Sequence, residues 1–247
     1  MRKSHLFTTL FIALSIVLIA FANPAEKASA SVVNAVAAKA PVSEAAPVVE
    51  SLSTQLYESL QLQSKGLSKD VLDAAIKGYE KLVAEGSVNN AQYLTVIDFS
   101  QSGRKKRFYL IDMENRELVM NTFVSHGKNT GLDMATKFSN TPNSEQSSLG
   151  FYVTGPTYTG KHGMSLRLIG KEEGYNSNAL ARGIVVHGAD YVNAARANSA
   201  FMGRSQGCPA LPMNEYAKAI NFIKGGSVMF IYSDKNAYLQ QSPVLNG

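Results

Sequence analysis

Apolar positions in this chain fall first at helical spacing and then at strand spacing, and the change of period divides it. Residues 31–50, SVVNAVAAKAPVSEAAPVVE, show no period at all and read as a flexible linker. Leu52, Leu56 and Leu60 then recur every fourth residue, which predicts a helix. After Gly66, Ser68 is placed to cap a second helix with Val71, Leu72, Ala75, Ile76, Tyr79, Leu82 and Val83 along one face, and Gly86 ends it. From Tyr93 the period drops. YLTVIDFS, RFYLIDM and ELVMNTFVS are short β-rich segments, the last two joined by Glu114-Asn115-Arg116, which suits a hairpin turn.

Residues 126–150, HGKNTGLDMATKFSNTPNSEQSSLG, carry no apolar face. A loop of that length inside a compact domain is expected to be functional or disordered. FYVTG, SLRLIG and GIVVHG continue the strands, and Pro212 is expected to open a helix with Met213, Tyr216, Ala217, Ile220 and Ile223 on one face, stopped by Gly225-Gly226. SVMFIYS supplies the last strand. The fold class is therefore mainly β with α. A helical segment at 51–88 is expected to pack onto a domain at 89–247 that carries one substantial late helix.

Composition sharpens this picture at two points. With 45% hydrophobic and 17% charged residues over 247 positions, the chain is built as an ordinary globular protein. Its net charge is +5, but removing residues 1–30 leaves 21 basic against 18 acidic residues, and the basic ones are spread out. That argues against a nucleic-acid partner and leaves ordinary solubility, or mild attraction to an anionic envelope polymer. The run Arg104-Lys105-Lys106-Arg107 reads as a solvated loop.

At the start of the chain, Arg2 and Lys3 precede an apolar run from Leu6 to Ala22, and Ala28-Ser29-Ala30 matches a signal-peptidase site. Residues 1–30 are expected to be a signal peptide cleaved after Ala30. That places the protein in the periplasm or cell envelope with no stable membrane insertion afterwards; the alternative is an uncleaved anchor. Cys208 is the only cysteine, so no internal disulfide can form, and an exported thiol must be either buried or used.

Candidate chemistry converges on residues 183–212. Ile184-Val185-Val186 delivers His187 on a strand, a rigid support for a working imidazole. Seventeen residues (188–204) separate it from Ser205, and Ser205-Gln206-Gly207-Cys208 completes the pattern H-x17-S-x-G-C. A thiol beside an imidazole is the minimum equipment for nucleophilic acyl transfer. The plain alternative is a buried histidine and an inert cysteine. Pro209 has no N–H, so a local oxyanion hole must draw on the Gly207 or Cys208 amides or on distant groups. His126 has a structural use at a strand end as its alternative. His162, in a loop, has no metal-ligand spacing to another His or Cys, and the sequence calls for neither metal nor cofactor.

The pattern resembles the signature of the murein L,D-transpeptidase catalytic domain family of cysteine transpeptidases. So do VSHG at 124–127, the loop through Thr141-Pro142 to Gly150-Phe151, and the strand feeding His187, over roughly 93–233. The resemblance implies a β-sandwich or barrel and an enzyme acting on peptidoglycan stem peptides without a cofactor. It implies Cys208 as nucleophile, His187 as base oriented by a backbone carbonyl, Gly207 as a source of an oxyanion donor, and Ser205 as support for the turn or the imidazole. Arg204, Arg182 and His126 become candidates for substrate binding, each Arg with an equal claim to a loop-bracing role. Gln206 departs from the family, where His or Arg is common.

The implied reaction releases D-alanine from a tetrapeptide stem and forms a 3-3 crosslink. Water as acceptor would give an L,D-carboxypeptidase and a protein lysine an anchoring enzyme, and a silent envelope scaffold is the non-enzymatic alternative. Endopeptidases of the NlpC/P60 type place Cys before His, and sortases need an Arg after the Cys, which is absent here. Oligomeric state leaves no mark in the sequence.

Overall fold

The computed structural model describes residues 50–234 and 237–247. The expected signal peptide (1–30) and linker (31–50, apart from Glu50) lie outside the described residues. Helix α1, Leu52–Ser59, is capped by Ser51, and α2, Lys69–Ala84, by Ser68, whose hydroxyl accepts from the Val71 amide at 3.4 Å. Val71, Leu72, Ala75, Ile76 and Leu82 are buried as the spacing predicts, whereas Val83 is exposed. Gly78 sets how closely α2 approaches the sheet, since a Cβ there would lie 2.1 Å from the Phe151 ring.

The sheet has eight strands: β1 Tyr93–Asp98, β2 Phe108–Asp112, β3 Glu117–Thr122, β4 Gly150–Gly160, β5 Gly163–Gly170, β6 Val185–Ala189, β7 Ala210–Pro212 and β8 Val228–Tyr232. They lie in the order β3-β2-β1-β8-β4-β5-β6-β7, with β1/β8 and β6/β7 parallel and the other pairs antiparallel. The chain after β3 runs back beside β7. There the Ser125 amide donates to the Ala210 carbonyl at 2.9 Å and Gly127 bridges Ser205, so the two ends of the sheet nearly close on each other. Helix α3, Tyr216–Ile223, seats Ala219, Ile220 and Ile223 in the core, and two short helices, α4 Tyr238–Gln241 and α5 Pro243–Asn246, come after the last strand. Among the described residues no helix is long and apolar enough to cross a membrane.

Three expectations change. Pro212 does not open a helix: it ends β7, an edge strand where a residue without an N–H costs no ladder bond, and α3 starts at Tyr216. Met213, placed on the helical face by spacing, is exposed, and Ala219 takes the core position. FYVTG and SLRLIG are the inner halves of one long β4–β5 hairpin whose outer half, residues 156–164, has the sequence of a loop. Pro156, Thr157, Tyr158 and Thr159 are exposed in a row and show no inward alternation, and Pro156 sits in the register shift between Thr154 and Thr157.

Candidate active site

Topology brings the thiol and the imidazole together. His187 is central in β6 and faces Ala210 across the parallel β6–β7 pair, so Cys208, two residues ahead of β7, arrives on the neighbouring strand line about 5 Å away. Both residues line one cavity of about 500 Å³. A larger cavity, about 740 Å³ beside Gly225 and Gly226, holds neither a cysteine nor a histidine, so chemistry rather than size selects the site.

His187 is almost fully buried, and its Nδ1–H donates to the Gly188 carbonyl at 2.9 Å, which leaves Nε2 as the nitrogen that can take a proton. This carbonyl is the orienting group that sequence alone could not name. The Cys208 sulfur accepts from the Val185 amide at 3.4 Å and donates toward the Gly183 carbonyl at 3.7 Å. Burial pushes the Cys208 thiol pKa up, opposed by the Val185 amide, the Arg182 charge, the cysteine's own N–H and Lys161. Burial also pushes the His187 pKa down; the Gly188 carbonyl opposes this, while His162 and Lys161 add to it. Both shifts disfavour charge, which favours a neutral thiol and a neutral imidazole over an ion pair.

The turn that presents Cys208 is pinned from two sides. Ser205 Oγ donates to the Cys208 carbonyl at 2.6 Å and accepts from the Gly207 amide at 3.1 Å. Ser147 Oγ, from the long loop, donates to the Gly207 carbonyl at 3.0 Å and accepts from the Gly127 amide at 3.1 Å. Gly207 has φ +120, and a Cβ there would lie 2.7 Å from the Gln146 carbonyl oxygen, so only glycine fits. The 126–150 loop is therefore part of the site's support. Because the Gly207 N–H is spent on Ser205, it is not the free oxyanion donor the sequence suggested. Of the two local amides, that leaves Cys208.

The three candidate substrate contacts part company. Arg204 does line the cavity, with Nη1 donating to the Lys128 and Gly131 carbonyls and its plane 4.8 Å from the Phe201 ring centre. Arg182 lies behind the wall. Its two terminal nitrogens hold Ser139, Ser144, Gln146 and Ser148 of the long loop at 2.6–3.1 Å, so it reaches Cys208 through charge rather than through free donors. His126 is buried and faces away from the cavity: Arg107 donates to its Nδ1 at 2.7 Å and its Nε2–H reaches the Gly131 carbonyl at 3.3 Å. Burial, with Arg107 beside it, drives its pKa down to about 4.

Arg107 itself is fully buried, although the basic run it ends has the sequence of a solvated loop. Three of its nitrogens bond to Gln101, Val124 and His126, and it lies 4.7 Å from the Phe99 ring centre. Only Arg104, Lys105 and Lys106 are exposed.

Sequence reasoning undervalued two groups. His162, at the β4–β5 tip, stacks on His187 with ring centres 4.5 Å apart. Tyr191 lines the cavity with a pKa pushed up by burial to about 12. The hairpin's fold brings His162 there, while Tyr191 arrives just past the end of β6, in the spacer between His187 and Ser205. Lys128, Lys161, His162 and Arg204 give the wall basic groups; Lys128 is paired with Glu145 at 2.5 Å, and no Asp or Glu lines the cavity itself. Among the described residues no cluster of three or more potential metal ligands occurs.

A family model described as the L,D-transpeptidase catalytic domain matches residues 63–232. The match takes in α2, which the sequence motifs had left outside. An L,D-transpeptidase from Mycobacterium smegmatis is similar at 15% identity, covering 57% of this chain and 59% of that one, with a TM-score of 0.36. Mycobacterium tuberculosis L,D-transpeptidase 1 is similar at 13% identity, covering 57% and 62%, with a TM-score of 0.33. The chain thus spans about six-tenths of the length of the solved structures it matches. No curated protein sequence matches it closely enough to count as a relative. With a family model matched over more than half its length and a cysteine and a histidine lining one cavity of a nearly closed sheet, the chain belongs to the L,D-transpeptidase catalytic domain family.

Proposed function

We propose that the protein is a cysteine-dependent peptidoglycan L,D-transpeptidase acting on tetrapeptide stems in the cell envelope. The observation that carries this reading is the pairing of Cys208 with a His187 whose Nδ1 is fixed by Gly188, on one cavity wall. Because the resting pair is neutral, His187 Nε2 takes the thiol proton as Sγ attacks the carbonyl of the L-centre of the third stem residue. The C–S bond forms, and the carbonyl electrons move onto oxygen, toward the Cys208 amide. When the oxyanion collapses, the C–N bond to D-alanine breaks, and the imidazolium gives its proton to the departing amine. A thioester remains. An amine from a neighbouring stem then loses a proton to His187 and attacks the thioester, and the thiol leaves reprotonated. The product is a 3-3 crosslink; water in place of the amine gives the L,D-carboxypeptidase outcome.

The basic wall suits a donor peptide rich in carboxylates, and in this reading Arg204 and Lys161, which line the cavity, meet them. In this reading Arg182 and His126 hold the loop and the turn rather than the peptide, and Ser205 and Gly207 shape the nucleophile's turn.

The test is mass spectrometry of purified tetrapeptide muropeptides incubated with the protein. Crosslinked dimers with loss of D-alanine are expected. Loss of D-alanine alone would assign the carboxypeptidase, and no change would favour a silent scaffold. Cys208→Ala should abolish both products, and His187→Ala should slow turnover by about 10²- to 10⁴-fold while the protein stays folded. Equal products from Cys208→Ala and wild type would refute the mechanism.

A further inference from the structure

The β4–β5 hairpin ends in a two-residue turn, Lys161-His162, closed by the Gly160–Gly163 pair. The tip is not a free flap. Gly163 has φ +75, and a Cβ there would sit 3.0 Å from the Tyr216 hydroxyl, so the turn is seated against α3. His162 is exposed on the outside of this tip, where the core asks nothing of it, yet its ring lies on the His187 ring at 4.5 Å and 28°.

The Gly188 bond fixes His187 along one axis only, because a ring held at one nitrogen can still tilt about that bond. A second ring against its face removes the tilt. His162 also borders a second cavity, about 430 Å³, on the far side of the hairpin tip, lined by Gly188, Asp190, Tyr191 and Met213 among others. Its ring therefore stands between the base and that space.

We propose that His162 is a positioning residue for the acyl-transfer base: stacked on His187, it holds that ring in the plane in which Nδ1 meets Gly188 and Nε2 is left for the thiol, and keeps water off its face. The proposal rests on the acyl-transfer reading of the site. The charged or titratable groups around the base are Tyr158, Lys161 and His162 from the hairpin, Asp190 and Tyr191 from the end of β6, Cys208 from the turn, Lys128 and Arg204 from the facing wall, and Tyr216 from α3. Of these, His162 is the one stacked on the ring.

The test compares His162→Ala and His162→Phe with wild type in two measurements: kcat and KM for D-alanine release from a tetrapeptide stem across pH, and the NMR titration midpoint of the His187 ring. In His162→Ala, kcat should fall about tenfold with KM little changed, since a base misplaced in its plane costs the chemical step. Water reaching the bared ring and the loss of the lowering influence of His162 on His187 both favour the imidazolium, so the midpoint and the acid limb should move to higher pH. In His162→Phe the ring face stays covered, so most of kcat should return and the midpoint should rise less. An unchanged kcat and midpoint in His162→Ala, or a Phe variant as impaired as Ala, would overturn the proposal. Should wild type release no D-alanine while the midpoint still moves in Ala and is largely held in Phe, the acyl-transfer reading has failed and the stack stands. A midpoint that does not move in Ala sinks the stack whatever the turnover.

Discussion

The one thiol of this chain lies in surroundings that disfavour its charged form. Cys208 sits with its proton directed at the Gly183 carbonyl, in surroundings that raise its pKa, and His187 sits in surroundings that lower its own. A lowered histidine pKa keeps the imidazole neutral, and thus able to accept a proton, down to a pH below the ordinary histidine value. A raised cysteine pKa delays thiolate formation to a pH above the ordinary thiol value. Together they predict that modification of Cys208 by iodoacetamide rises with pH toward an inflection on the alkaline side of an unperturbed thiol. A plateau of fast reaction between about pH 5 and 7, the mark of a preformed thiolate–imidazolium pair, should not appear. Finding that plateau would show that the charge-favouring contacts of Val185, Arg182 and Lys161 outweigh burial. The same neutral pair would suit the envelope location proposed for the protein, because a protonated thiol resists oxidation where an unpaired thiolate would not.

Among the elements, the ones the sequence made legible are those that bury a face. The spacing from Val71 to Leu82 gives α2, and Ile184 to Val186 gives the strand under His187, because in both cases the core selects side chains at the period of the backbone. The H-x17-S-x-G-C spacing was likewise legible, since it needs only two adjacent strand ends. The outer β4–β5 hairpin was not, because its Thr-Tyr-Thr-Gly stretch faces no core that would impose an alternation, only the Arg167 guanidinium over the Tyr158 ring. With it went the His162 stack, which depends on a turn at a strand tip rather than on any spacing from His187. Arg107 misled for the opposite reason: a charge that finds three hydrogen-bonding partners and an aromatic face in the interior leaves the same trace in sequence as one in water.

At Gly78 the opposition of effects is open to test. An alanine in mid-helix would gain about 1 kcal/mol of propensity, but its methyl would press into Phe151, itself stacked on Phe230 at 4.3 Å, where overpacking costs about 1–3 kcal/mol. Because that methyl would come within 2.1 Å of a buried ring with no room to swing, the clash should win. Gly78→Ala should lower the melting temperature by about 5 °C. A rise instead would mean that α2 is not seated on Phe151.

The molecule as a whole is tied together at a buried carboxylate far from its chemistry. Glu172 is fully buried. One oxygen accepts from the Phe151 amide at 2.7 Å and the Tyr238 hydroxyl at 2.6 Å, and the other from the Ser242 hydroxyl and the Val244 amide. These bonds join β4, at the middle of the sheet, to α4 and α5, and Lys81 links α5 back to α2 through the Pro243 and Gly247 carbonyls. Asn176 completes the knot, accepting from the Glu172 amide and donating to the Leu149 and Phe151 carbonyls.

The hydroxyls of Tyr238 and Ser242 can turn to accept, but the amides of Phe151 and Val244 can only donate, and they address different oxygens. Glu172→Gln, identical in size, must therefore point its NH₂ at one backbone N–H whichever way the amide is flipped, leaving a buried donor facing a buried donor. The cost should be about 3 kcal/mol, seen as a fall of about 5–10 °C in melting temperature. Since Glu172 lies outside the reacting cavity, kcat measured well below the transition should hold near the wild-type value. A Gln variant that melts with wild type would mean the acceptor pattern does not need both oxygens, and that the C-terminal helices are held by their apolar contacts, Val244 and Leu245 among them, rather than by this carboxylate.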